Sequence, residues 1–153
     1  MYETALVIHN ALRWVAILAV LLVFLRAMGG SMSSRKINSG DRFAGLFATI
    51  VVDVQFLLGL LLYLVWSPQT KTAMQDFGAA MKNPELRFWA VEHAAVMILA
   101  VVFVHLGKIF ARRATSDASK QRRTAVWFFL ALVLMVLRTP WPGMEVARPW
   151  IRM

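Results

Sequence analysis

Three stretches of the chain are apolar for about the length a bilayer requires, a fourth is shorter, and polar residues collect between them. The first covers roughly 5–28 and the second 43–66. The third covers 88–111, and its 24 residues, at about 1.5 Å each, reach about 36 Å across a hydrocarbon core of about 30 Å. The fourth apolar run, Thr124–Arg138, is shorter. Its helix is therefore expected to begin near residue 119, with Lys120, Arg122 and Arg123 reaching back to the membrane surface. The pattern predicts an all-α integral membrane protein, a single four-transmembrane-helix bundle over 1–153 with helices at about 5–28, 43–66, 88–111 and 119–138.

The breaks between these runs carry turn signals. Gly29-Gly30 is expected to end the first helix, and Asp41 to cap the second. Ser67-Pro68 stops the second, and a short interfacial helix is expected over Asp76–Met81. Thr139-Pro140-Trp141-Pro142-Gly143 breaks the fourth. Gly45 and Gly59 lie fourteen apart on the second helix and share a face that would permit close approach. The first ten residues carry Glu3 and no Lys or Arg, unlike a signal peptide, so the first run is read as a retained helix.

Composition agrees with the pattern. Hydrophobic residues make up 59% and the mean hydropathy is +0.62, against roughly 45–50% apolar residues in soluble domains. The formal charge of +9 does not point to nucleic acid, because the basic residues sit at the ends of apolar runs, where orientation in the membrane and contact with anionic lipid account for them. Ten of them (Arg26, Arg35, Lys36, Arg42, Lys108, Arg112, Arg113, Lys120, Arg122, Arg123) lie where helices one and two, and three and four, are joined. Six (Lys71, Lys82, Arg87, Arg138, Arg148, Arg152) lie at the opposite end. The larger group belongs to the cytoplasmic face, so both termini are expected on the periplasmic side of a bacterial inner membrane. Cysteine is absent, which excludes disulfides, thiol redox chemistry and a cysteine-held iron–sulfur cluster within this chain.

Inside the apolar runs stand ionisable residues, which are costly at membrane depth and normally face a partner, a cavity or a cofactor. Counting rises from Trp66 and Trp89 as outer-interface markers puts His9, Asn10, Arg13, Glu92, His93 and Arg138 in one layer, with Gly59 near it. Asp53 and His105 lie deeper. Two readings of the outer layer stand. In one, His9 and His93 are the axial ligands of a b-type haem, Gly59 leaves flat space for the porphyrin, and Arg13 or Arg138 pairs with a propionate. In the other, the layer is a structural polar cluster in which Arg13 pairs with Glu92 while the histidines hydrogen-bond to backbone or to each other. A second haem on His105 is disfavoured, because His93 and His105 are twelve apart, about 120° of rotation. The better partner for His105 is Asp53, as a buried polar pair or a proton-relay element.

The segments HNALRW (9–14), DRFAGLF (41–47), VQFLLGLLLY (54–63), RFWAVEH (87–93), RTPWP (138–142) and RPW (148–150) together resemble a family of small four-helix bacterial membrane proteins labelled "cytochrome b"-like. The family pattern carries histidines at the positions of His9 and His93, and a further histidine in helix two where this chain has Asp53. The resemblance implies a redox or respiratory membrane role. Together with the polar layer it gives the leading expectation: electron transfer through one haem b near the periplasmic side, with His9, His93, Arg13, Glu92 and Gly59 at the site and quinone or a redox partner as the exchange species. The alternative is a cofactor-free accessory subunit of a larger respiratory or photosynthetic complex, or a homo-oligomer, embedded in lipid. A small proton-coupled transporter using Asp53 and His105 is the third reading.

Overall fold

The computed structural model describes residues 1–144, 146 and 149–150; Arg148 and Arg152, two of the basic residues counted above, lie outside the described residues. The described residues form helices and no strand. Helix α1 is Tyr2–Met32. Helix α2, Ser39–Leu61, continues into a π-helical turn, Leu62–Trp66. Three short helices follow: α3 (Pro68–Gln75), α4 (Phe77–Lys82) and α5 (Pro84–Arg87). A second π-helical turn, Phe88–Glu92, leads into α6 (His93–Arg112), and α7 is Asp117–Leu137. Three segments, Tyr2–Met32, Ser39–Trp66 and Pro84–Arg112, are long and apolar enough to cross a membrane. The 21 residues of α7 begin with a charged stretch that holds Lys120, Arg122 and Arg123.

Helix α1 packs between α2 and α7, and α6 lies along α7. Helices α2 and α6 touch only lightly, which leaves a gap between them. The core these four share is built largely from small side chains: Ala16, Ala19, Ala44, Ala48, Ala100 and Ala131 stand beside Val20, Val104 and Phe128. Small residues let backbones approach, and between helices in lipid close packing has to supply what the hydrophobic effect does not. Gly107 shows the limit, since a Cβ there would lie 2.9 Å from Trp127 Cβ. The outward faces are apolar as well, with Leu18, Phe43, Leu57 and Leu64 all more than half exposed. A surface of that kind suits hydrocarbon.

Several helix ends differ from expectation. Helix α1 passes through Gly29-Gly30 and stops at Ser33, whose N–H bonds to the Gly29 carbonyl; Gly30 is held inside the helix because the side chain of Gln121 on α7 packs directly against it. Asp41 is not the cap of α2. Asn38 is: its side chain accepts the Asp41 N–H at 3.0 Å, while Asp41 Oδ2 accepts the Asn38 N–H at 3.0 Å, a reciprocal capping box that starts the helix at Ser39. The pair of glycines on α2 is used only at Gly59, because nothing approaches within 4 Å of where a Gly45 side chain would point. The link before α5 holds two short helices, each capped by a side-chain oxygen, Ser67 for α3 and Asp76 for α4.

The two ends of the bundle are tied differently. At the basic end, Arg26 and Arg35 both bind the Asp41 carboxylate, at 2.9 and 2.7 Å, and Asp117 accepts the Ile37 N–H at 3.1 Å. At the other end, Tyr2 meets Gln69, and Trp14, Trp141 and Trp150 cluster, with Trp14 Nε1 donating to the Trp150 carbonyl at 2.8 Å.

Candidate functional site

The gap between α2 and α6, closed behind by α1, is a cavity of about 410 Å³, within the roughly 300–1,000 Å³ of small-molecule and cofactor sites. Its walls are mainly apolar, with Ile17, Val52, Phe56, Met97 and Val101 among them. His9 and Arg13 from α1, Gln55 from α2 and His93 from α6 supply polar groups at its edge. The two histidines named from sequence therefore line one cavity from two helices.

His93 is the first residue of α6, directly after the Phe88–Glu92 π-turn. Its Nδ1 lies 2.8 Å from the backbone carbonyl of Arg138. A carbonyl oxygen only accepts, so Nδ1 carries the hydrogen and the neutral ring keeps its free lone pair on Nε2. Metal-ligating histidines are commonly oriented this way. The ring is further confined by Phe88 and Trp89, with centroids at 5.8 and 5.7 Å. Arg138 is itself held: its guanidinium reaches Glu92 at 3.4 Å, and Glu92 binds Arg87 at 2.8 Å. Glu92 thus acts on His93 through Arg138.

His9 is packed against Gly59; a Cβ at that position would lie 3.0 Å from His9 Cε1. The Gln55 amide nitrogen donates to the His9 backbone carbonyl at 2.9 Å and lies 3.4 Å from the ring Nε2. His9 Nδ1, Gln55 Oε1 and Arg13 Nε are buried atoms with no hydrogen-bond partner among the described residues. Three such atoms on adjacent residues of one site are unusual, since buried polar groups are nearly always satisfied.

Some expectations about this layer are corrected. Gly59 does not leave open space for a flat ring, because the imidazole of His9 fills it. Arg13 does not pair with Glu92. Its guanidinium donates to the Trp150 carbonyl at 3.1 Å and lies 5.2 Å from the Trp14 ring centroid, while Glu92 is taken by Arg87 and Arg138. That engagement also removes Arg138 as a free partner for a propionate.

Asp53 and His105 are brought together, with Oδ1 2.8 Å from Nε2. They are not buried: their side chains are 41% and 46% exposed, because they bridge α2 and α6 along the outer side of the lightly packed seam. Sequence reasoning assigned no role to Gln55 or Tyr63. Gln55 is four residues before Gly59, one helical turn away on the same face, and that spacing was the available signal. Tyr63 donates to the Ala90 carbonyl at 2.7 Å and so ties the two π-turns together. No group of three or more His, Cys, Asp or Glu suited to a metal ion occurs among the described residues.

Comparison of the chain with protein-family models, curated proteins and solved structures finds no match.

Proposed function

We propose that the chain is a four-span b-type cytochrome-like electron-transfer protein of a bacterial inner membrane, with both termini on the periplasmic side and one haem held between His9 and His93. The observation that carries this reading is the convergence of the two imidazoles on one apolar cavity, with His93 oriented through Nδ1 so that Nε2 is the nitrogen that would hold the iron, and with His9 Nδ1 left without a partner among the described residues. The donor set fits: bis-imidazole ligation of haem in a helix bundle requires one histidine from each of two helices at one depth. Haem, when bound, supplies a one-electron couple. The chain's own residues orient and shield it. The Arg138 carbonyl fixes the His93 ring, Glu92 fixes Arg138, and Gly59 and Gln55 fix His9. The apolar walls keep water from the site. The gap between α2 and α6 offers a quinone an approach from the lipid.

The test is haem retention in variants. His9→Ala and His93→Ala should each abolish it, while His105→Ala should leave it unchanged; full retention in either of the first two would remove the reading. A cofactor-free accessory subunit is the second reading, favoured by one observation: His93 and Glu92 already have partners within the chain. A colourless, folded, monodisperse protein that co-purifies with larger respiratory or photosynthetic subunits would select it.

A further inference from the structure

Asp53 is the fifteenth of the 28 residues in the Ser39–Trp66 span, so it sits at its middle. The side chain nevertheless faces outward, as does that of its partner His105. Helix α2 surrounds it there with exposed apolar residues, Ile50, Val54 and Leu57, and α6 adds Ile98, Val102 and Ile109. A polar pair on the hydrocarbon-facing surface, far from either end of its helix, is costly unless its remaining hydrogen-bonding groups are satisfied.

Those remaining groups are defined by the contact. The 2.8 Å bond uses Asp53 Oδ1 and His105 Nε2, which leaves Asp53 Oδ2 and His105 Nδ1 with no hydrogen bond among the described residues. A pair with no net charge exists in two forms: carboxylate with imidazolium, or carboxylic acid with neutral imidazole. With the shared proton between Oδ1 and Nε2, Oδ2 is an acceptor and Nδ1–H a donor in both; with the acid proton on Oδ2 the two roles exchange. The outward face therefore presents one donor beside one acceptor, set in an apolar surround. Such a surface is complementary to itself under a two-fold rotation, the symmetry of most dimers.

We propose that two copies of the chain meet on this α2–α6 face, with Asp53 Oδ2 of each copy accepting from His105 Nδ1 of the other. The four side chains close into one ring that leaves no polar atom toward lipid, and the flanking Ile, Val and Leu side chains pack around it. The inference rests on α2 and α6 being membrane spans and is independent of haem. The pair acts in assembly.

The chain has no cysteine, so a single introduced thiol reports on this face without background. Val54→Cys, beside the pair, and Leu22→Cys, on the outward face of α1, would each be made in the full-length protein and mildly oxidised in native membranes. Val54→Cys should give a disulfide-linked species of twice the chain's mass, and Leu22→Cys should not. Equal cross-linking at the two positions, or a Val54→Cys adduct with a different protein, would overturn the proposal. Adding Asp53→Leu and His105→Leu together to Val54→Cys should cut the dimeric product about tenfold, as expected for loss of hydrogen bonds between helices in lipid. An undiminished product would also overturn it. Val54→Cys alone keeps the pair intact, so its result stands even if the triple variant fails to fold.

Discussion

The two ends of the bundle use polar residues in opposite ways. At the basic end the groups close on one another. Asp41 takes both Arg26 and Arg35 and completes the Asn38 cap, Asp117 takes the Ile37 N–H, and Gln121 Nε2 donates to the Arg35 carbonyl. One buried atom there lacks a partner, Gln121 Oε1, pressed against Gly30. At the opposite end His9, Arg13 and Gln55 each leave a buried atom unsatisfied, and all three residues line the same cavity. A polar network that serves only the fold is expected to satisfy itself, whereas a site keeps capacity for something not made by the chain. The difference is what the proposed haem site rests on: the basic end closes on itself, and the opposite end leaves three buried polar atoms on the cavity residues without a partner among the described residues.

Substitutions break or sharpen that contrast. Gly59→Val would have the largest effect. The space its side chain needs is occupied by the His9 ring, so haem retention should fall to the level of His9→Ala while the protein still inserts; haem content near wild type would show that His9 need not stay where Gly59 puts it. Gln55→Leu removes the group that holds the His9 backbone and borders its ring. Its haem affinity should drop about tenfold, the lower end of the cost of losing an outer-shell partner, measured by haem titration in detergent. Asp41→Ala should do the reverse of both: it breaks two ion pairs and a capping box, so the Tm should fall by several degrees with haem content unchanged. The smallest effect belongs to Lys120→Ala. Its 3.6 Å contact with Asp117 is between exposed side chains three apart on one helix, and neither Tm nor haem content should move measurably.

Periodicity carried most of the fold. The apolar runs located the three helices long and apolar enough to cross a membrane, and counting rises grouped His9 with His93, which line one cavity. The ends were less legible for local reasons. Gly29-Gly30 reads as a stop, yet a glycine is also the residue that lets a neighbouring helix come close, and the packing of Gln121 on Gly30 decides between the two. Asp41 reads as a cap because Asp caps helices often, but Asn38 three residues earlier makes Asp41 the return half of a capping box.

The site was legible as a list of residues and not as a geometry. Two π-turns lie next to it, and each adds a residue to a turn, which rotates the following side chains by about 100° relative to an unbroken helix. No spacing rule applied to Trp89, Glu92 and His93 anticipates that rotation. Within that turn Glu92 pairs with Arg87 and Arg138 and not with Arg13. Asp53 and His105 were correctly matched by depth, but depth says nothing about whether a side chain faces the core or the outside, and the exposed seam between α2 and α6 settled their environment.

The most direct test of the central claim is an absorption spectrum of the detergent-purified wild-type protein, oxidised and then dithionite-reduced, after expression with adequate haem supply. The account predicts a sharp reduced α-band and close to one haem per chain. A folded, monodisperse protein with no such band would contradict it.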